Sequence, residues 1–290
     1  MTRRRIRPTI RGKNALVKID RRGYPTPVVS LVALIGCGGT GSILAEHLAR
    51  LIAGHRLPCR LALIDGDVVA EANIVRQNFH HGEIGLNKAE ALAFRLGARF
   101  GLEILAVAGF LRPEDSGVIL QERACLTLSA TDSVTSRALV AQANPALWLD
   151  VGNELAHGQA ILGTTSDRAA LHRVQATWNR KGHQAYPPCL PNVAAVDPVY
   201  SDKAALARAR RRDKTRVSCA DEPFAHQGAG VNAGAALAAA TIAKQILVDH
   251  MVTIAQIWFD VAAGFSRPVP ITRDLFSPWA QAATAKKVNP

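Results

Sequence analysis

From residue 28 onward, apolar residues fall into short unbroken runs separated by longer stretches with helical spacing. Val28–Ile35 is β-branched at its start, apolar on both faces and closed by glycines, which is the pattern of a strand buried inside a parallel sheet. Arg60–Ile64, Glu103–Val107, Ala124–Leu128 and Leu147–Val151 read as further strands. Between them, Thr40–Ile52, Leu86–Phe100, a short stretch near Pro113–Glu122 and Ser133–Ala143 read as helices. Parallel neighbours need crossover helices, so strict alternation predicts a doubly wound, Rossmann-like α/β sheet.

After Asn153 the alternation stops. The next stretch offers one strand (Gln159–Gly163), a Pro-bearing segment (Tyr186–Pro191) and a basic helix, Asp202–Arg212, with Ser201 as its expected N-cap. A long Ala-rich helix, Val231–Asp249, and strands at Ile254–Val261 and Pro268–Ile271, expected to be antiparallel, return the chain to the main body. The predicted plan is a basic N-terminal arm (1–27) and a single domain (28–290) with an inserted or flexible lobe at about 164–228, its tail fraying from Gln281. There is no internal repeat.

Composition narrows the class. With 290 residues, 48% apolar and 20% charged, the chain has enough apolar material for a sizeable core, so disorder is excluded as its main state. Five cysteines at 37, 59, 125, 189 and 219 match neither a disulfide framework nor a CxxC zinc pattern, which points to a reducing compartment. The uncharged stretches Gly23–Ala45 and Ala225–Ala243 are interrupted by Pro, Gly and polar residues, so no membrane span is expected. No apolar run of signal-peptide length follows the basic first residues, and a cytoplasmic protein is expected. The net charge of +12 is concentrated: residues 1–22 carry +8 and residues 203–216 carry +6, leaving −2 for the rest. Such confined charge suits local contacts with phosphate or an acidic partner.

The candidate chemistry begins at Gly36-Cys37-Gly38-Gly39-Thr40-Gly41-Ser42, between the first strand and its helix. Glycines there let backbone N–H groups and a helix N-terminus approach a phosphate closely. Asp65 ends the second strand, 29 residues after Gly36, where a carboxylate can accept hydrogen bonds from ribose hydroxyls. That arrangement serves NAD and ATP equally. The following stretch, Asp65-Gly66-Asp67 to Asn73, Arg76 and Gln77, and then Ile84-Gly85-Leu86-Asn87-Lys88-Ala89, separates them. Transfer at a triphosphate needs cations to stabilise charge on the reacting and departing phosphates, and Arg76 and Lys88 can supply them. An NAD-dependent oxidoreductase would leave both unexplained.

The GxGGxGS loop, the DxDxVxxxNxxRQ stretch, IGxxKA, and Ala130-Thr131-Asp132-Ser133 with Arg137 beyond it together resemble the ThiF/MoeB/HesA superfamily of ubiquitin-activating-like adenylating enzymes. The likeness is strongest over residues 28–151; Gln227-Gly228-Ala229-Gly230-Val231-Asn232 also resembles the family's turn into its long helix, and the chain is similar to the ThiF-like proteins of PRTRC gene cassettes. The resemblance implies that Gly36, Gly38, Gly39 and Gly41 shape a phosphate loop and that Asp65 and Asp67 belong to the nucleotide site. Asn73, Arg76 and Lys88 would contact phosphates, and Asp132 would hold Mg²⁺, with capping of the next helix as its plain structural role. The implied reaction is ATP-dependent adenylation of the C-terminal carboxylate of a ubiquitin-like or sulfur-carrier protein ending in glycine, carried out by a homodimer.

The sequence departs from that pattern in places. Many relatives bind zinc through two CxxC pairs, whereas only Cys189 and Cys219 stand in those regions, so no zinc is expected. The same two are candidates for a thioester nucleophile, Cys219 first because Lys214 and Arg216 lie nearby in sequence, and each can equally be an inert thiol. Cys125 reads as packing, Cys59 has no evident role, and His80-His81 reads as a surface pair. An arginine among Arg3, Arg4, Arg5, Arg7 and Arg11 could act in trans on a partner's ATP, or the arm could be a solvated tail. Two rival functions stay open: a tRNA-modifying adenylating enzyme that grips RNA through 203–216, and a non-catalytic nucleotide-binding adaptor.

Overall fold

In a computed structural model, residues 23–112, 125–177, 187–200, 202–215 and 228–280 are described. The expected arm residues before 23, the helix near 113–122, Ser201, Cys219 and the tail from 281 therefore lie outside the described residues.

A two-residue strand, β1 (Tyr24–Pro25), precedes β2 (Leu31–Ile35). Helix α1 (Gly39–His55) leads to β3 (Arg60–Asp65), and α2 (Lys88–Phe100) to β4 (Ile104–Ala108). The chain resumes with β5 (Cys125–Ser129), α3 (Val134–Ala143), β6 (Leu147–Asn153) and β7 (His157–Gly163). Three helices follow, α4 (Arg168–Thr177), the single turn α5 (Val193–Val196) and the basic α6 (Lys203–Thr215). Helix α7 (Ala229–Leu247), β8 (Met251–Val252), β9 (Ile254–Asp260) and β10 (Phe265–Pro270) complete the order.

Eight strands form one sheet in the order β10-β9-β7-β6-β5-β2-β3-β4. The five from β4 to β6 are parallel, while β7, β9 and β10 run antiparallel to their neighbours, as the sequence pattern predicts. β1 and β8 pair separately, a contact too short to leave a periodic signal. Strand alternation sorts the core into two layers. Val32, Leu34, Leu61, Leu63, Leu126 and Leu128 face α1, α2 and α7, with α1 lying against α7. Leu31, Ala33, Ile35, Ala62, Ile64 and Trp148 face the other way, toward α3 and α5. Most of these side chains are inaccessible to solvent, and each fully buried Leu or Ile contributes about 1.5–3 kcal/mol.

The chain leaves β2 for β3 on one side and returns from β4 to β5 on the other, which makes the carboxyl ends of β2, β3 and β5 a topological switch point. Helix starts differ from the sequence expectation by one or two residues, and side-chain caps account for two of the shifts. α2 begins at Lys88 because Asn87 caps it, its side chain accepting from the Ala89 and Glu90 N–H groups. At α6 the Asp202 carboxylate accepts from Ala204 and Ala205, so Asp202 fills the capping role expected of Ser201. Among the described residues no helix is long and apolar enough to cross a membrane.

Candidate functional site

β2 delivers the chain to Gly36, which adopts φ +90°. A Cβ there would press on the Ala130 carbonyl, and one on Gly41 would overlap the Gly36 carbonyl oxygen, so the tight turn is open only to glycine. Gly38 has open space where a side chain would project, and it caps α1 without a side-chain hydrogen bond. No acid stands in the first turn of α1, so its leading N–H groups and positive dipole end are available to an anion.

Asp65, at the end of β3, lies against this loop. Its Oδ2 accepts the Cys37 N–H at 2.6 Å and its Oδ1 the Asp67 N–H at 2.8 Å. Burial raises its pKa, partly offset by these two N–H donors and by Lys88. The Cys37 thiol is fully buried and pushed well above its usual range by burial and then by Asp65, which fits a packing role.

The Asn87 amide donates to the backbone carbonyls of Asp65 and Asp67, tying the start of α2 to the loop after β3. Lys88 is thereby fixed at the mouth of that loop, only 3% exposed, with Nζ 3.0 Å from Asp67 Oδ2.

The turn at residues 71–77 is different in kind. Asn73 uses Oδ1 to accept the Ala70 N–H, but its Nδ2 has no partner among the described residues. Arg76 is 4% exposed, and among the described residues neither Nη1 nor Nη2 finds a hydrogen-bond partner; Gln77 Oε1 is likewise unpaired there. Buried polar groups are ordinarily satisfied, and a buried guanidinium without an acceptor asks for an anion.

At β5 the helix cap is Ser133, whose hydroxyl accepts the Ser136 N–H, so Asp132 does not perform that task. Asp132 is exposed at the carboxyl end of the strand. Behind it, Arg137 donates through Nε to Asp150 Oδ1 at 2.9 Å and through Nη2 to the Val151 carbonyl. Ser129 also donates to Asp150 Oδ1, and Trp148 Nε1 donates to Ser129. Burial works against the Arg137 charge, yet Asp150, then Tyr200 and Asp132, raise its pKa overall.

These elements enclose a cavity of about 1130 Å³. Of the residues singled out in the sequence, Gly36, Gly38, Gly39, Asp65, Asp67, Lys88 and Asp132 border it. Gly41 packs beneath the loop, and Asn73 and Arg76 are buried without bordering the cavity. Cys189 is half-buried, does not border the cavity, and has its thiol raised by burial and by Asp167. His80 and His81 are exposed. Gln77, Asn153 and Asn232 also border the cavity, and single-sequence reading passed over the last two. Asp150 left a usable signal, since an acid inside the run Leu147-Trp148-Leu149-Asp150-Val151 must find a partner when that strand is buried.

Comparison with known proteins places the chain. The model of the ThiF family matches residues 16–257. The mouse adenylyltransferase and sulfurtransferase MOCS3 is 37% identical over 82 residues, 28% of this chain and 17% of that protein. The rice ubiquitin-like modifier-activating enzyme 5 is 31% identical over 140 residues, 42% of this chain and 31% of that protein. The matches thus span less than a third of either relative. Among solved structures, Escherichia coli MccB superposes with a TM-score of 0.55 at 17% identity, covering 88% of this chain and 64% of MccB, a likeness of fold. The family model runs from before β1 into β9 and so takes in both the glycine loop and the antiparallel strands; by that match the chain belongs to the ThiF family.

Proposed function

We propose that the chain binds ATP in the switch-point cavity and adenylates the C-terminal carboxylate of a ubiquitin-like or sulfur-carrier protein. The observation that carries this reading is Arg76, a buried guanidinium with two nitrogens unpaired among the described residues, whose backbone carbonyl is tied through Asn232 to Thr40 in the first turn of α1. Asp65 has spent two of its roughly four acceptor positions on backbone N–H groups and keeps the others for ribose hydroxyls. Glycine-loop amides approach the phosphates through the gap at Gly38, and Lys88 and Arg76 balance the charge of the departing pyrophosphate. Related proteins support this direction: the curated relatives are an adenylyltransferase and sulfurtransferase and a ubiquitin-like modifier-activating enzyme, and MccB has been solved with ATP.

In the reaction an oxygen of the carrier carboxylate attacks the α-phosphorus. The bond to the bridging oxygen of pyrophosphate breaks, leaving an acyl-adenylate. A C-terminal carboxylate, with an ordinary pKa of about 3.3–3.7, is already ionised at neutral pH, so no general base is needed. Positioning and charge stabilisation carry the step. Asp132 supplies an oxygen ligand of the type Mg²⁺ prefers, and Mg²⁺ bound there would neutralise phosphate charge. Among the described residues no three His, Cys, Asp or Glu side chains gather as a metal site, which suits a metal held chiefly by phosphate and water. The reading includes a homodimer in a cytoplasmic setting and the PRTRC grouping. It leaves Cys189 outside the adenylation step, since that residue does not border the cavity.

The test is ATP–pyrophosphate exchange with glycine-ended carrier proteins, with Arg76→Ala as control. Exchange that depends on both carrier and Arg76 is expected; MgATP binding without exchange for any carrier would favour the adaptor reading. The exposed cations Lys203, Arg208, Arg211 and Arg212 on α6 favour one second reading, in which the activated carboxylate is linked to RNA. Replacing them with alanine would then flatten the salt dependence of RNA binding.

A further inference from the structure

Helix α7 enters the site through one side chain. Asn232, in its first turn, is 1% exposed, and its amide joins three separate parts of the cavity wall. Thr40, in the first turn of α1, donates its hydroxyl to Asn153 Oδ1 at 3.1 Å and lies 3.3 Å from Asn232 Oδ1. Asn153 Nδ2, at the end of β6, donates to Asn232 Oδ1 at 3.0 Å. Asn232 Nδ2 then donates to the backbone carbonyl of Arg76 at 3.3 Å. The three nearest atoms to a Cβ built on Gly39 all belong to the Asn232 side chain, so the glycine loop and Asn232 are fitted to each other.

We infer that Asn232 is a positioning residue, coupling the phosphate loop at Thr40 to the backbone of Arg76 through a relay of amides. The inference rests on the proposed nucleotide site for its consequence and on the ligand-free geometry for its cause. A leucine of similar size would fill the space but could neither accept from Thr40 and Asn153 nor donate to Arg76. An amide can do both at once because its oxygen and nitrogen carry opposite hydrogen-bonding roles. Without it the neighbouring bond from the Asn78 N–H to the Ser42 hydroxyl remains, but the link between Thr40 and the Arg76 carbonyl is lost, so the free N–H groups of one turn are held less closely relative to the unpaired guanidinium of the other. A small misplacement between two phosphate-binding groups weakens their joint hold on a ligand more than it weakens the fold.

The experiment uses the full chain and the variants Asn232→Ala, Asn232→Leu and Gly39→Ala, together with the pair Gly39→Ala/Asn232→Ala. In ligand-free protein, hydrogen exchange at the hydrogen-bonded amides of Ser42, Ile74, Arg76 and Gln77 is expected to accelerate at least tenfold in Asn232→Ala and Asn232→Leu, with exchange in β2, β5 and β6 unchanged. MgATP titration is expected to show at least tenfold weaker binding in both. Gly39→Ala should lose binding through its clash with Asn232. Adding Asn232→Ala should relieve that clash and restore binding no further than the level of Asn232→Ala alone. Equal exchange in wild type and both Asn232 variants would overturn the inference whether or not ATP binds. Accelerated exchange with unchanged MgATP affinity would also overturn it, leaving the amide a structural tie. Accelerated exchange in the Asn232 variants together with no MgATP binding by the wild-type protein would instead overturn the proposed function, with the coupling of the two turns intact.

Discussion

Two arginines close to one cavity are treated in opposite ways. Arg137 is paired with Asp150 and with the Val151 carbonyl, and Asp150 is further held by Ser129, itself bonded to Trp148. Arg76 is at least as secluded, yet its two terminal nitrogens have no partner among the described residues. A buried charge is tolerated when its compensation is built in, as at Arg137, where only Asp150 Oδ2 is left unbonded. Where compensation is missing, folding carries a cost that an anionic ligand would offset on binding. The first arrangement belongs to the protein's stability and the second to its function.

Breaking the paired arginine should produce the largest effect. Asp150→Ala removes the acceptor and leaves Arg137 buried and charged, so a loss of about 3–5 kcal/mol in stability is expected, readable by urea denaturation. Arg76→Met should do the reverse. Nucleotide binding is expected to weaken by about 2–4 kcal/mol, or roughly 30- to 1,000-fold by calorimetry, while the melting temperature holds or rises because an uncompensated charge is gone. Should Arg76→Met instead destabilise the protein as Asp150→Ala does, the contrast between the two sites would fail.

Gly41→Ala should sit lower, costing about 1–3 kcal/mol of stability as the new Cβ pushes against the Gly36 carbonyl, with weakened nucleotide binding as a companion effect. The smallest effect is expected at Glu46, a partly buried counterpart to the more deeply buried Arg137–Asp150 pair. Burial tends to raise its pKa, but hydrogen bonds from Arg50 and Asn78 and the nearby charges of Arg50 and Arg99 hold it below the usual value. A lowered folded pKa means that its stabilisation is complete above the ordinary glutamate value and is lost as pH falls through the lower folded value. Glu46→Gln should therefore cost at most about 1 kcal/mol at pH 7, and thermal melts of the variant and wild type should converge as the pH falls through that range.

Much of the parallel half was readable from local pattern. Val28–Ile35 and Leu147–Val151 announced buried strands because both their faces are apolar, although β2 starts only at Leu31 and Val28 is exposed, and the glycine loop followed because Gly36 and Gly41 occupy backbone positions closed to other residues. The capping at Asn87 and Asp202 was missed by one or two residues, since neighbouring polar side chains compete for the same N–H groups and sequence alone does not choose between them. β1 and β8 left no signal because two residues cannot show a period.

The sequence by itself determined the doubly wound fold and its antiparallel end, and placed Asp65 at a strand's end, while Lys88 and Asp132 were singled out by charge and by motifs that resemble those of the ThiF/MoeB/HesA superfamily. Only the tertiary structure decided that Arg76 is buried without a partner while Arg137 is paired. It alone brought Asn232 to Thr40 across 192 positions of chain. Such facts depend on which side chains the folded sheet places within about 3 Å of one another, and hydrogen bonds between residues far apart in sequence leave no periodicity along it.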